Sequence, residues 1–267
     1  DSHQPEVDDS AFQVIRGILP VPPLMKPLLV LAAFPVVLMG WASCSHSGTG
    51  HAALPDPRAV DKSVPEYKNP FHPSTYAHFV ARKDYRKTYD VYKDDTLLNR
   101  QPKKSRKIFV CLDEQRGQYL VDGLVAMDFP LSSGVKAYPT KTGDYAVISK
   151  KEDHTSNLYG KMYDAEGKCI NYNAESTDPI PEGGRFDGSP MPYWQRLTNA
   201  GLGLHVGKVR RHPVSHGCVR LPRNVAEILY RQTSIGTPVT IQKTPLPVPE
   251  AQKIPPAQQQ ESEGRKQ

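Results

Sequence analysis

The run His212-Pro213-Val214-Ser215-His216-Gly217-Cys218-Val219-Arg220-Leu221-Pro222 puts one cysteine, two histidines and an arginine within eleven positions. A free thiol titrates at about 8.5, so little of it is thiolate at neutral pH, and nearby positive charge raises that fraction. If residues 215–220 run extended, side chains alternate: His216, Cys218 and Arg220 share one face, Ser215, Gly217 and Val219 the other. That pattern predicts a reactive thiol with a lowered pKa. Gly217, without a side chain, lets a carbonyl group approach the backbone and leaves the Cys218 amide to donate to an oxyanion. Cysteines are commonly buried and inert, but inert ones seldom sit among His, Arg, Gly and Ser.

A thiol nucleophile needs a base. His205, in Gly203-Leu204-His205-Val206-Gly207, lies thirteen positions before Cys218, enough for a turn that sets two strands side by side. It is the first candidate, with His216 and His212 as alternatives, and a purely structural role stands open for each. Asp164, Glu166 and Asp187 are available carboxylates, but nothing marks one as the group that orients His205; a backbone carbonyl serves as well. A metal reading of His205, His212, His216 and Cys218 lacks the paired ligand spacings of zinc sites, so neither metal nor cofactor is expected. Cys111, mid-strand among apolar residues, reads as a buried free thiol; a disulfide to Cys169 is the alternative. Asp153 and His154 read as solvated loop residues, with a place on the substrate rim as the alternative.

These groups must be carried by strands. Lys107-Ile108-Phe109-Val110-Cys111-Leu112, Gln118-Tyr119-Leu120-Val121 and Leu124-Val125-Ala126 are short apolar runs, and Asp122-Gly123 between the last two is a hairpin signal. Phe129-Pro130-Leu131-Ser132 continues extended to Gly134. Asp144-Tyr145-Ala146-Val147-Ile148 and Pro238-Val239-Thr240-Ile241 complete the set. Over residues 224–232, Val225, Ile228 and Leu229 follow helical spacing. The expectation is a mostly β domain over 105–243, a sandwich or barrel with one or two short helices between flexible termini.

The flanks differ in composition. Met25-Lys26 precedes an apolar run from Leu28 to Leu38, then Gly40-Trp41-Ala42-Ser43-Cys44, which reads as a bacterial export signal over 25–43, with 1–24 an upstream extension. Lipidation of Cys44, plain cleavage and an uncleaved membrane anchor all fit. Residues 44–104, with Pro55, Pro57, Pro65, Pro70 and Pro73, read as a tether. Part of 75–98 is expected to be helical, with its aromatic residues packing on the domain. Residues 244–267 are too poor in apolar side chains to pack and are expected to be disordered. Thirty-four Lys and Arg against 28 Asp and Glu fit an anionic partner and equally a merely solubilising excess. The basic residues are scattered, and no nucleic-acid module accompanies them, so nucleic acid is not expected as a partner.

Met191-Pro192-Tyr193-Trp194, Gly203-Leu204-His205 and Pro213-Val214-Ser215-His216-Gly217-Cys218-Val219-Arg220-Leu221 together resemble the L,D-transpeptidase catalytic (YkuD) family of peptidoglycan enzymes. Upstream, Pro130-Leu131-Ser132-Ser133-Gly134 and Pro139-Thr140-Lys141-Thr142-Gly143-Asp144-Tyr145 resemble the family's strand end and turn. Lys141 stands where proline is usual, and only nine residues separate His205 from Ser215, implying a shortened substrate rim. The resemblance implies that Cys218 attacks peptidoglycan tetrapeptide stems at the bond before the terminal D-alanine, forming a thioester. An amine then takes the acyl group to make a 3-3 cross-link, or water takes it in a carboxypeptidase. It assigns His205 as base and His216 as second active-site histidine. Gly217 and Cys218 become the oxyanion region, Ser215 a brace, Arg220 a carboxylate or loop contact, and Tyr193 a donor-site residue. It also implies a covalent carbapenem adduct at Cys218. A non-catalytic wall-binding lipoprotein is the rival from another class.

Overall fold

The structure is a computed structural model that describes residues 54–101 and 105–254. In chain order the elements are α1 (Tyr76–Ala81), β1 (Tyr92–Lys93), α2 (Asp95–Asn99), β2 (Arg106–Cys111), β3 (Arg116–Val121), β4 (Leu124–Pro130), β5 (Gly143–Ala146), β6 (Ser149–Lys151), β7 (Thr155–Tyr163), β8 (Cys169–Glu175), β9 (Arg185–Pro190), β10 (Trp194–Arg196), β11 (Gly203–Val206), β12 (Val219–Leu221), α3 (Arg223–Gln232) and β13 (Pro238–Gln242), with a 3-10 turn at Glu250–Gln252. A six-stranded sheet runs β1-β4-β3-β2-β13-β5, a four-stranded sheet β12-β11-β10-β6, and a three-stranded sheet β8-β7-β9. The mostly β expectation holds. None of the sheets closes into a barrel; among the described residues, α3 is the α-helix within 105–243, in line with the one or two short helices expected, and α1 and α2 lie in the preceding segment.

The main core lies where the six-stranded sheet, the four-stranded sheet and α3 meet. Ile108, Val110, Tyr119, Val121, Met127, Val239 and Ile241 come from the first, Leu204, Val219 and Leu221 from the second, and Val225, Ala226 and Leu229 from α3. A second cluster coats the back of β3 and β4, where Phe71, Tyr76, Phe79 and Val80 pack on Val125. Covered on both faces, β2, β3 and β4 are buried almost throughout, which is why they read as apolar runs instead of alternating ones. Asp122 and Gly123 both take positive φ (51° and 80°), the backbone a two-residue hairpin loop needs to match strand twist.

Both flanks pack more than their composition indicates. Within the expected tether, Thr75 accepts from the His78 amide to start α1, and Asp94 accepts from that of Leu97 to start α2. The aromatics Tyr76, Phe79 and Tyr85 are buried against the sheet. The tail also departs from expectation over 244–254. Val248 is buried, and the Gln252 carboxamide clasps Val125, donating to its carbonyl (2.9 Å) and accepting from its amide (2.8 Å). With β1 only two residues long, β4 backbone groups are left to be paired, and a polar side chain pairs them. The export signal, Cys44 and residues 255–267 lie outside the described residues.

Candidate active site

β11 and β12 run parallel and adjacent, with His205 opposite Arg220 in register. The turn before β12 therefore delivers Cys218 to the strand end beside the one that holds His205. Residues 216–218 are not extended, contrary to the alternation read from the sequence. Gly217 has φ +112°, a left-handed conformation that breaks the strand and that a side chain would strain. Strand geometry begins only at Val219. Ser215 holds the turn: its hydroxyl donates to the Cys218 carbonyl (2.5 Å) and accepts from the Gly217 amide (3.2 Å).

A second brace comes from the Pro139-Thr140-Lys141-Thr142-Gly143 turn. The buried Thr140 hydroxyl accepts from the Gly134 amide (2.8 Å) and donates to the Gly217 carbonyl (2.6 Å). The two glycines touch. A Cβ on Gly134 would lie 2.8 Å from the Gly217 Cα, so the turn is fitted against a backbone that tolerates no side chain there. The strand end at Ser132 and Ser133 closes the frame: Ser132 exchanges both backbone bonds with Arg220, and the Ser133 carbonyl accepts from Val214 and Ser215.

Cys218 and His205 line one cavity of about 670 Å³, together with Ser215, His216, Gly217 and Arg220. The Cys218 thiol donates to the Gly201 carbonyl (3.3 Å). Burial raises its pKa, opposed by the Gly203 amide and the Arg220 charge. The sequence expectation of a lowered thiol pKa is thus reversed at rest, because desolvating a thiolate outweighs one nearby guanidinium and one amide. His205 is buried, and burial pulls its pKa down to about 4, so it is a neutral imidazole at neutral pH. Its Nδ1 lies 2.7 Å from the Val206 carbonyl. An amide carbonyl is an acceptor only, so Nδ1 carries the proton and Nε2 keeps a free lone pair. A backbone carbonyl orients the ring, not Asp164, Glu166 or Asp187.

His216 is exposed and stacks on Tyr159 (4.3 Å between centroids, 12° between planes), with Tyr138 at 4.8 Å. It ties the Cys218 turn to β7 of the three-stranded sheet. His212 is exposed, 3.3 Å from the Pro213 carbonyl, and is not among the cavity residues. Tyr193 is a second departure: with φ 55° its ring turns to Tyr230 of α3 (5.6 Å) and is absent from the cavity wall. Its neighbours Met191 and Trp194 line the cavity instead. Cys111 and Cys169 are free; Cys111 is buried, with its pKa pushed up to about 11 by desolvation.

Other residues of the wall escaped the sequence reading, wholly or in part. His154, read first as a solvated loop residue and alternatively as part of the rim, lines the cavity with its ring 4.9 Å from that of Trp194, which lies 5.9 Å from His205. Ser156, Leu158, Tyr159 and Tyr172 come from β7 and β8, strands rich in Asn, Gly and Lys and interrupted by register shifts, so no apolar alternation announces them.

Residues 105–241 match the L,D-transpeptidase catalytic domain (YkuD) family. The chain belongs to that family. A probable L,D-transpeptidase 3 of Mycobacterium tuberculosis is 31% identical over 121 residues, covering 43% of this chain and 38% of that protein. An L,D-transpeptidase from Mycobacterium smegmatis aligns at 22% identity and TM-score 0.40, over 52% of this chain and 58% of that one. One from Stackebrandtia nassauensis gives 22% and 0.39, over 62% and 65%. The chain thus spans less than two thirds of each relative's length. The YkuD match begins at residue 105, so the packed segment 54–101 precedes the family's domain and covers its back.

Proposed function

We propose that this protein is an L,D-transpeptidase that acts on peptidoglycan tetrapeptide stems through a Cys218 thioester. The observation that carries the reading is the pairing of a thiol with a neutral, tautomer-fixed imidazole in one cavity of a YkuD-family domain. Because burial keeps Cys218 a thiol and His205 uncharged, the pair starts neutral and the proton moves as the bond forms. His205 Nε2 takes the thiol proton while sulfur attacks the carbonyl before the terminal D-alanine. The Cys218 amide, which has no hydrogen-bond partner among the described residues, donates to the oxyanion; the Gly217 amide is already held by Ser215. Collapse breaks the amide bond, and D-alanine leaves with the proton from His205. An amine of a second stem then gives its proton to His205, attacks the thioester, and returns the thiol as the cross-link forms.

Arg220, in register with His205, supplies a positive charge beside the sulfur, and His216 with Tyr159 forms the rim over it. The same thioester chemistry makes Cys218 the site of a carbapenem adduct. Export by the 25–43 segment, with lipidation at Cys44 or retention of the segment as an anchor, would place the domain in the cell envelope. Incubation with tetrapeptide muropeptides tests the reaction: D-alanine release with 3-3 dimers is expected, and Cys218→Ala should abolish both. Release with tripeptide alone would mark a carboxypeptidase, and turnover by Cys218→Ala would overturn the mechanism.

A further inference from the structure

The charges on the cavity wall are one-sided. Lys141, Arg196, Lys208 and Arg220 line it, and no aspartate or glutamate does. None of these four joins an ion pair among the described residues, whereas Arg58, Arg82, Arg116 and Arg185 each face a carboxylate. Arg196 projects from β10 with its guanidinium 6.0 Å from the Trp194 ring centroid; among the described residues the guanidinium donates from Nη1 to the Asn199 carbonyl at 3.4 Å. The Arg220 stem runs along Gly207, where a Cβ would come within 2.7 Å of its Cγ, and Lys208 follows at the cavity edge. The field reaches the titrating groups: after burial, Arg220 and His154 lower the pKa of His205, and Lys151 and Arg196 lower that of His154. Unmatched cations around a concave, low-dielectric wall focus a positive potential, and a carboxylate entering it gains charge-assisted hydrogen bonds that a neutral isostere does not.

We infer that this cavity selects its donor by charge, with Arg196 and Lys208 preferring a stem whose carboxylates are free over one in which they are amidated. The identity of the stem rests on the transpeptidase reading above; the selection for anions does not. The side-chain end of meso-diaminopimelate carries an ammonium and a carboxylate and is neutral as a whole. Converted to the carboxamide it becomes a net cation, which this wall repels. The terminal D-alanine carboxylate adds a second anion that the same wall receives.

Two measurements test it. Iodoacetate and iodoacetamide both alkylate a thiolate, forming a thioether and expelling iodide, but only the first is an anion. The rate ratio, iodoacetate over iodoacetamide, read at Cys218 by peptide mass spectrometry, is expected to exceed that of the uncharged thiol N-acetylcysteinamide by about tenfold. The excess should shrink from about 0.1 M to about 1 M salt, as the screening length falls from about 10 Å to about 3 Å. It should also shrink in Arg196→Gln/Lys208→Gln and, by a smaller factor, in Lys208→Gln alone, where the exposed position poses no folding risk. A ratio equal to that of the free thiol overturns the inference. The second measurement compares kcat/KM for D-alanine release from free-carboxylate and carboxamide stems; about a tenfold preference for the first is expected, and an equal or reversed preference overturns the selection among donors. If neither stem releases D-alanine while the alkylation ratio stays high, the transpeptidase reading fails and the anion-selecting cavity stands.

Discussion

The two faces of this fold use charge in opposite ways. Behind β3 and β4, Arg116 and Asp128 are both buried and bonded to each other, and the Asp128 carboxylate also accepts from Tyr76 (2.6 Å), Tyr85 (2.8 Å) and Gln118 (3.3 Å). Nearby, Arg58 makes a two-pronged contact with Glu114 at 2.9 and 2.8 Å. Burial, then the Asp128 charge, holds the Tyr76 and Tyr85 hydroxyls protonated well above their ordinary range. On the cavity face, Lys141, Arg196, Lys208 and Arg220 join no ion pair among the described residues. A charge shut away from water must find its counter-charge inside the protein, and once found it is no longer available. Charges at an open cavity keep their water until a ligand replaces it, so the unmatched face is the one that can bind.

Breaking the buried pair should have the largest effect. Asp128→Ala strands the Arg116 guanidinium and is expected to cost about 3–5 kcal/mol in urea unfolding, whereas Arg116→Met/Asp128→Leu should recover only part of it, because the Tyr76, Tyr85 and Gln118 donors still lack their acceptor. Iodoacetamide alkylation of Cys218 in folded Asp128→Ala should stay within about twofold of the parent rate, since a buried pair behind β3 and β4, away from the cavity wall, acts on it only through the fraction folded. A large change in that rate would show that the two faces are not separable.

Acid should act on the cavity face next. With His205 held at about 4 against its ordinary 6.5, the unfolded chain binds a proton that the folded chain refuses between those values. Stability from this group is full above about pH 6.5 and falls as the pH drops towards 4, a span of about 3 kcal/mol at most. Unfolding midpoints at several pH values should show the loss, and His205→Gln should flatten that part of the profile. An unchanged slope in the variant would assign the acid sensitivity elsewhere.

Thr140→Val, which keeps the shape but leaves the Gly134 amide and Gly217 carbonyl without this partner, should cost about 1–3 kcal/mol. D-alanine release should slow beyond the loss of folded protein, and Thr140→Ser, retaining the hydroxyl, should restore it. The smallest effect expected is a shift in a titration. Because burial raises the Cys218 pKa, its alkylation by iodoacetamide should keep accelerating above the pH at which N-acetylcysteinamide levels off. A plateau at lower pH would mean that the thiolate is stabilised at rest.

Much of this was legible along the chain. Cys218, His205 and Gly217 were singled out from residue type and spacing, and Ser215 as a brace from the family resemblance; each lines the cavity or braces it. The β2, β3 and β13 runs and the Asp122-Gly123 turn were readable because short apolar stretches and positive-φ residues are local signals. The alternation across 215–220 misled because a single glycine at φ +112° cancels strand periodicity, and composition does not say which conformation a glycine takes. Tyr193 pointed away for a similar reason, its φ of 55° turning the ring to Tyr230.

The sequence by itself singled out Cys218 and His205 as candidate nucleophile and base and indicated the β character of the domain, since each depends on residues close together or on patterns that repeat within a strand. Only the tertiary structure decided the protonation of the site and the composition of its wall. Burial of Cys218 and His205 arises from strands and loops distant in sequence, and the unmatched cations converge from β10, β12 and two separate loops. Desolvation and potential depend on everything that surrounds a group in space, and that information exists only once the chain has folded.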